Sequence, residues 1–230
     1  MPLQNRLSPL SEALLLWTLA FLILLASSLL FGQGILTKLL ATLSFLLLPK
    51  AAAATLSPRH STSQRADFGL HFQNWKAELR LFSLLFLPVL LLFPPLYAAW
   101  LQFQHLLPFS SATPIEWQWH FQLPPRFGEW VVDQYLVVAL SEEYFYRGYV
   151  QSRLHEFWPK QTLLLRPGLW LTALLFSLGH LATFEVLRLS VFFPALLFGF
   201  AKEKTQGLLC PVLLHGSCNL LLMVLQASFV

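Results

Sequence analysis

Apolar residues run along this chain in long blocks, with polar residues gathered between them. Seven blocks stand out, at roughly residues 12–32, 35–49, 79–101, 130–150, 168–183, 187–201 and 207–228. A helix needs about 20 apolar residues to cross the hydrocarbon of a bilayer. The pattern therefore predicts an all-α fold, a polytopic membrane helix bundle with about seven transmembrane helices. The second, fifth and sixth blocks are short, which leaves room for a re-entrant piece or a merged pair. The run from Ala13 to Phe31 is longer than the apolar region of a signal peptide. A second block follows almost at once, so the first is read as a retained transmembrane helix.

Two polar stretches interrupt the blocks. Residues 50–78 carry Pro58 and read as a loop with room for an interfacial helix. Residues 102–129 hold Pro108, Pro114, Trp117, Trp119, Pro124 and Pro125. They read as an interfacial loop, because tryptophan favours the headgroup zone. The chain then divides into residues 1–129, N-terminal membrane helices and interfacial loops, and residues 130–230, a helical core with the candidate chemistry. Both belong to one integral membrane domain.

Composition agrees. Of 230 residues, 56% are hydrophobic and 11% charged, with a mean hydropathy of +0.60. Soluble domains carry about 25% charged residues, so lipid has to cover this chain. The net charge of +4 is assigned to loop cations meeting anionic headgroups. No phosphate loop, dinucleotide fingerprint or basic stripe points to nucleic acid. If the spans alternate, Arg6, Lys50, Arg59, Arg65, Lys76, Arg80, Arg153, Lys160, Arg166, Lys202 and Lys204 share one side. The other side receives Arg126 and Arg188, while Lys38 and Arg147 fall within spans. The positive-inside rule then places the N-terminus in the cytoplasm. Cys210 and Cys218 lie eight apart, about 12 Å along a helix. That is too far for a disulfide, so both read as packing residues.

Ionisable groups at membrane depth are costly and need a partner or a task. Three clusters stand out. In SEEYFYRGYV, Glu143 and Arg147 are four apart and can pair on one helical face. Glu142 points about 100° away and is left as a candidate general base. In FSLGH, Phe176 lies one turn before His180 and can wall a pocket beside the imidazole. In HGSCN, His215 and Asn219 share a face and can both donate to one oxygen, as an oxyanion site requires. Each cluster alone fits a structural role. Together, on three spans, they pair most cheaply around one cavity, which implies an intramembrane hydrolytic or metal site.

EEYFYR, FSLGH and HGSCN, in that order, resemble the EExxxR, FxxxH and HxxxN/D motifs of the CAAX-protease and bacteriocin-processing family. The approach to the last motif, with Gly199, Gly207 and Pro211, is similar as well. The resemblance covers about residues 130–228. It implies a glutamic-type intramembrane endopeptidase without a cofactor. Glu142 would activate a water, His180 would help hold it, and His215 and Asn219 would stabilise the tetrahedral oxyanion. Glu143, Arg147 and Phe176 would support the site. A metal site of Glu142, His180 and His215 stays open as an alternative. The implied partners are a membrane protein or lipidated peptide substrate and the bilayer. Branches of the family trim prenylated proteins, process peptides or, in myxosortase-like members, remove C-terminal sorting helices. The compact chain favours a bacterial inner-membrane member. A non-catalytic, partner-binding role of the self-immunity or scaffold type is the competing class. One tension concerns depth. Counted at 1.5 Å per residue, His180 sits about 18 Å in from residue 168 and His215 about 12 Å in from residue 207.

Overall fold

The computed structural model describes residues 7–55, 68–71, 73–103, 119–159 and 166–229. Among these, seven helices form. They are α1 (Pro9–Phe31), α2 (Ile35–Thr55), α3 (Trp75–Phe103), α4 (127–157), α5 (Pro167–Gly179), α6 (Phe192–Thr205) and α7 (Leu209–Ser228). Four of them, α1, α2, α3 and α7, are long and apolar enough to cross a membrane. The chain is an all-α polytopic membrane bundle, as the apolar blocks predict.

Several span edges differ from that reading. α2 continues through Pro49 to Thr55, so Lys50–Thr55 are helical rather than loop. A proline removes one N–H and crowds the preceding turn, but Ala51–Ala54 resume helix at once. α3 reaches back to Trp75 and on to Phe103, with Pro88, Pro94 and Pro95 inside it. The fifth block is shorter as a helix than as an apolar run. α5 stops at Gly179 after about 20 Å, and His180–Thr183 tighten into a 3-10 turn. Val186–Val191 form another before α6 begins. Residues 56–67 and 104–118, which hold much of the two polar stretches, lie outside the described residues.

Local chemistry sets the helix ends. Ser8 caps α1 by accepting the Ser11 N–H at 3.1 Å, with Pro9 in the first turn. α1 ends at Gly32, whose φ of +65° suits a residue without a Cβ. Thr37 of α2 donates to Gly32 O at 2.6 Å and so closes the α1–α2 hairpin.

α4 is the spine of the bundle. Its backbone stays in the right-handed region across every internal junction. Two of its turns are wider than an α-turn. Leu140 N–H bonds Tyr135 O, and Gln151 N–H bonds Tyr146 O, five residues back in each case. The regular turn between them is Leu140–Glu143. Wide turns of this kind inside α-helices are frequent at functional sites.

Packing separates a lipid face from a core. Leu84, Leu87, Leu91 and Leu96 of α3 are exposed, as are Leu29, Leu30, Leu36 and Leu43 of the hairpin. Inside, Ala13, Leu16 and Ala20 meet Phe45, Phe145, Tyr146, Leu175 and Phe176. A second cluster joins Phe82 and Phe86 of α3 to Phe198, Ala201, Cys210 and Leu214. Both cysteines are free, and Cys210 is buried in that cluster.

Buried charges fasten the helices at one end. Glu12 of α1 accepts Arg153 Nη2 at 2.7 Å and also the Tyr149 hydroxyl. Glu203 of α6 holds Arg166 at 2.7 Å, and His155 Nε2 lies 3.0 Å from it. At the head of α7, buried Glu78 accepts the Cys210 N–H at 2.9 Å, a carboxylate at a positive helix end. It fits there because Gly207 brings no side chain.

α7 packs against α4 at Gly216, where an added methyl would run into the Tyr135 ring. Small residues permit such contacts between membrane helices. Gly216→Ala is expected to destabilise the bundle by about 1–3 kcal/mol through overpacking. Thermal unfolding in detergent micelles, followed by intrinsic fluorescence, should show a lower Tm. An unchanged Tm would mean that the helices do not meet there.

Candidate active site

The regular turn of α4 between its two wide turns carries both glutamates, and they meet different surroundings. Glu143 is fully buried, whereas the Glu142 side chain keeps 20% exposure. Glu143 Oε1 accepts Arg147 Nη1 at 3.1 Å, the i,i+4 pair expected from spacing. The same oxygen also accepts His215 Nδ1–H at 2.8 Å. Sequence spacing pairs Glu143 with Arg147 alone; the structure adds an imidazole from α7.

Arg147 is buried as completely as Glu143. Its Nη2 donates to Ala195 O of α6 at 3.0 Å. Its guanidinium carbon lies 4.6 Å from the Phe176 ring centre and 5.4 Å from that of Phe198. Aromatic faces attract a cation, so two rings and two oxygens hold the charge that α4 brings into the core.

His215 is gripped from three directions. Phe198 stacks on it at 5.1 Å with 16° between the planes. Phe176 meets it edge-on at 5.6 Å. Because Nδ1 faces a carboxylate oxygen, Nδ1 carries a proton. In the neutral ring Nε2 is then an acceptor, and it donates only when both nitrogens are protonated. That Nε2 lies 3.9 Å from Glu142 Oε2.

His180 sits where α5 gives way to the 3-10 turn. Its Nδ1–H donates to Phe176 O at 2.9 Å, satisfying a carbonyl at the end of the helix. Nε2 is thereby left as an acceptor. Phe176 packs beside it at 4.9 Å, and Glu142 and His215 are within electrostatic reach. Trp17 of α1 braces this end of α5 by donating to Leu175 O at 2.9 Å.

Asn219 lies one turn after His215 on α7, and its Nδ2 donates to Gln134 Oε1 of α4 at 2.8 Å. Beside this bond, the Tyr135 and Ser217 hydroxyls are 2.7 Å apart. The structure thus gathers Glu142, Glu143, Arg147, Phe176, His180 and His215 around one centre, whereas Asn219, one turn further along α7, is bonded to Gln134 and not to any of them. Sequence reasoning missed Gln134 and Phe198. Gln134 had a readable signal, a lone amide inside an apolar span. Phe198 had none, since one more phenylalanine in an apolar run is unremarked. Among the described residues no group of three or more His, Cys, Asp or Glu side chains is arranged to hold a metal ion.

At this centre a Glu142 oxygen and His215 Nε2 lie 3.9 Å apart, with the Phe176 and Phe198 rings against the imidazole, so an acid–base group and a nitrogen are held side by side. Residues 127–221 match a protein-family model described as Rce1-like, type II CAAX prenyl endopeptidase Rce1-like. The match begins at the first residue of α4 and ends two residues after Asn219, so it contains the whole constellation. No curated protein and no solved structure matches the chain.

The buried pair yields a stability test. Leaving one member of a buried ion pair uncompensated costs about 3–5 kcal/mol. Glu143→Leu, which strands the Arg147 charge, is expected to destabilise by that amount. Glu143→Leu combined with Arg147→Met should recover part of it, since the His215 Nδ1–H still loses its acceptor. Denaturant titration in mixed micelles would measure both, and a wild-type midpoint for the single variant would show that Arg147 has access to water.

Proposed function

We propose that this chain, which carries a domain of the Rce1-like type II CAAX prenyl endopeptidase family over residues 127–221, hydrolyses a peptide bond within the membrane. That family is one of glutamic-type proteases, and the domain supplies a candidate for each role. The observation that carries the reading is the division between the adjacent glutamates. Glu143 is buried and held through Oε1 by both Arg147 and His215, whereas Glu142 is partly open and faces His215 Nε2 at 3.9 Å. One carboxylate is structural and its neighbour is left for chemistry.

The steps follow from donors and acceptors. Glu142 takes a proton from a water as its oxygen attacks the carbonyl carbon of the scissile bond. His180 accepts a hydrogen bond from the same water through Nε2. The carbonyl oxygen becomes an oxyanion, stabilised by an Asn219 N–H and by His215 Nε2–H when both ring nitrogens carry protons. Glu142 then passes its proton to the leaving nitrogen, the C–N bond breaks, and a carboxylic acid and an amine result, which exchange a proton to become carboxylate and ammonium. Glu143, Arg147 and Phe176 hold the imidazoles in place.

The substrate class is a membrane-anchored or lipid-modified protein. A site walled by Phe176 and enclosed by membrane helices suits a segment delivered in the bilayer plane. Residues 130–230 form the catalytic core on this reading, and the first 129 support it through ties such as Trp17 to Leu175 and Glu12 to Arg153. The basic end, with Arg153 and Arg166, faces the cytoplasm of a bacterial inner membrane.

Glu142→Gln keeps the shape and removes the base. Loss of a general base costs about 10²–10⁴-fold in rate. The expected result is that much loss of cleavage, with an unchanged Tm, on a quenched fluorogenic farnesylated CAAX peptide in proteoliposomes. Mass spectrometry of C-termini in a membrane host would extend the test to other anchored substrates. Equal processing by wild type and variant in both assays would leave the protein as a binder of membrane partners.

A further inference from the structure

Four polar side chains from three helices form a chain that ends at the site. Lys38 of α2 donates from Nζ to both oxygens of Asp133, each at 2.9 Å. Gln134 Nε2 donates to Asp133 Oδ2 at 3.0 Å. Asn219 Nδ2 donates to Gln134 Oε1 at 2.8 Å. Burial rises from Lys38 to Gln134, and Asn219 is half-buried. The Lys38 side chain is 35% exposed and that of Asp133 22%, while Gln134 as a whole is 9% exposed.

The order of charges gives this chain a direction. An ammonium only donates, and an ionised carboxylate only accepts. The amide that faces Asp133 must therefore present its NH2 group. The same amide then offers its oxygen to α7, and Asn219 must answer with its NH2 group. The two ends of an amide are almost alike in size, so shape does not choose between them; the hydrogen-bond network does. A chain of neutral amides and hydroxyls would be equally satisfied in reverse. Lys38, on a helix outside the matched domain, breaks the tie.

We propose that Gln134 is a positioning residue for Asn219, and that Asp133 and Lys38 fix the direction in which both amides face. This rests on the reading that Asn219 serves the oxyanion. An oxyanion site needs a donor already aimed, since preorganised donors act without reorganising during the reaction. One N–H of Asn219 is used by Gln134, and its second remains for the substrate. With the chain reversed, Asn219 would turn its oxygen in place of that amine group and lose the preset orientation. The Trp130 ring, 5.6 Å from Lys38 Nζ, helps hold the cation at the outer end of the chain.

The test uses full-length protein in proteoliposomes with the quenched farnesylated CAAX peptide. Gln134→Leu is expected to lower kcat by about 10- to 100-fold, below the full loss for a removed oxyanion donor, with KM nearly unchanged. Gln134→Leu added to Asn219→Ala should cost nothing beyond Asn219→Ala alone, because the two act as a unit. Gln134→Glu with Asp133→Asn moves the carboxylate by one position and keeps an acceptor facing Asn219. It should restore most of the rate that Gln134→Leu loses. A wild-type kcat in Gln134→Leu, or losses that multiply in the double variant, would overturn the proposal.

A second readout does not depend on turnover. In protein labelled with 15N-asparagine, the side-chain amide signal of Asn219 is identified by its loss in Asn219→Ala. It should shift in both Gln134→Leu and Asp133→Leu. A signal unmoved by either change would overturn the positioning role, whether or not the peptide is cleaved. Failure of the wild type to cleave, with that shift present, would count against the proteolytic reading alone.

Discussion

A carboxylate shut away from water, that of Glu143, is the point from which the rest of the site is hung. A buried charge must be paired, because the low-dielectric interior does not solvate it. One oxygen of Glu143 serves two donors, Arg147 on its own helix and His215 on α7. Arg147 reaches on to the α6 backbone at Ala195. A single carboxylate thus holds three helices in register. The electrostatic demand is local, but satisfying it dictates how α4, α6 and α7 lie against one another.

The aromatic residues around this centre answer the same demand. Phe176 and Phe198 both flank the guanidinium, and both also contact the His215 ring. They exclude water from the pair and limit the imidazole to one orientation. Phe176 does more, since its carbonyl fixes the His180 ring while its side chain packs beside it. One residue therefore sets the attitude of both histidines. The two imidazoles are ordered through Nδ1 by groups that need take no part in any reaction, which leaves both Nε2 atoms outside those hydrogen bonds.

The apolar blocks made the fold class legible, and the i,i+4 spacing of Glu143 and Arg147 made that pair legible. Both are local properties of a helix. The ends of the helices were harder. Lys50 reads as the start of a loop, yet the alanines after it carry α2 on to Thr55. The stop of α5 at Gly179 is hidden because apolar residues continue beyond it. Partners across helices were out of reach, since periodicity reveals which residues share a face and not which faces meet. Lys38 stood out as a cation within a span, but its partner Asp133 lies 95 residues along the chain. Gln134 is legible as an amide inside an apolar span, but nothing in its spacing says that it meets Asn219. Glu143 bonding His215 belongs to the same class, a tertiary fact with no trace in spacing.

The wide turns of α4 carry a further consequence. A turn that closes five residues back holds one residue more than its regular counterpart. In a helix each residue turns the side chains beyond it by about 100°. One such turn lies between Gln134 and Glu142, and the other begins just after Glu143 and includes Arg147. The angular relation between the amide chain, the paired glutamates and the arginine is therefore written in a count of residues. Exchange of one apolar side chain for another leaves that count intact. Loss of a single residue, however bland, would swing one group of ligands away from the other by more than a quarter of a circle. α4 acts as a vernier, and its tolerance is to composition rather than to length.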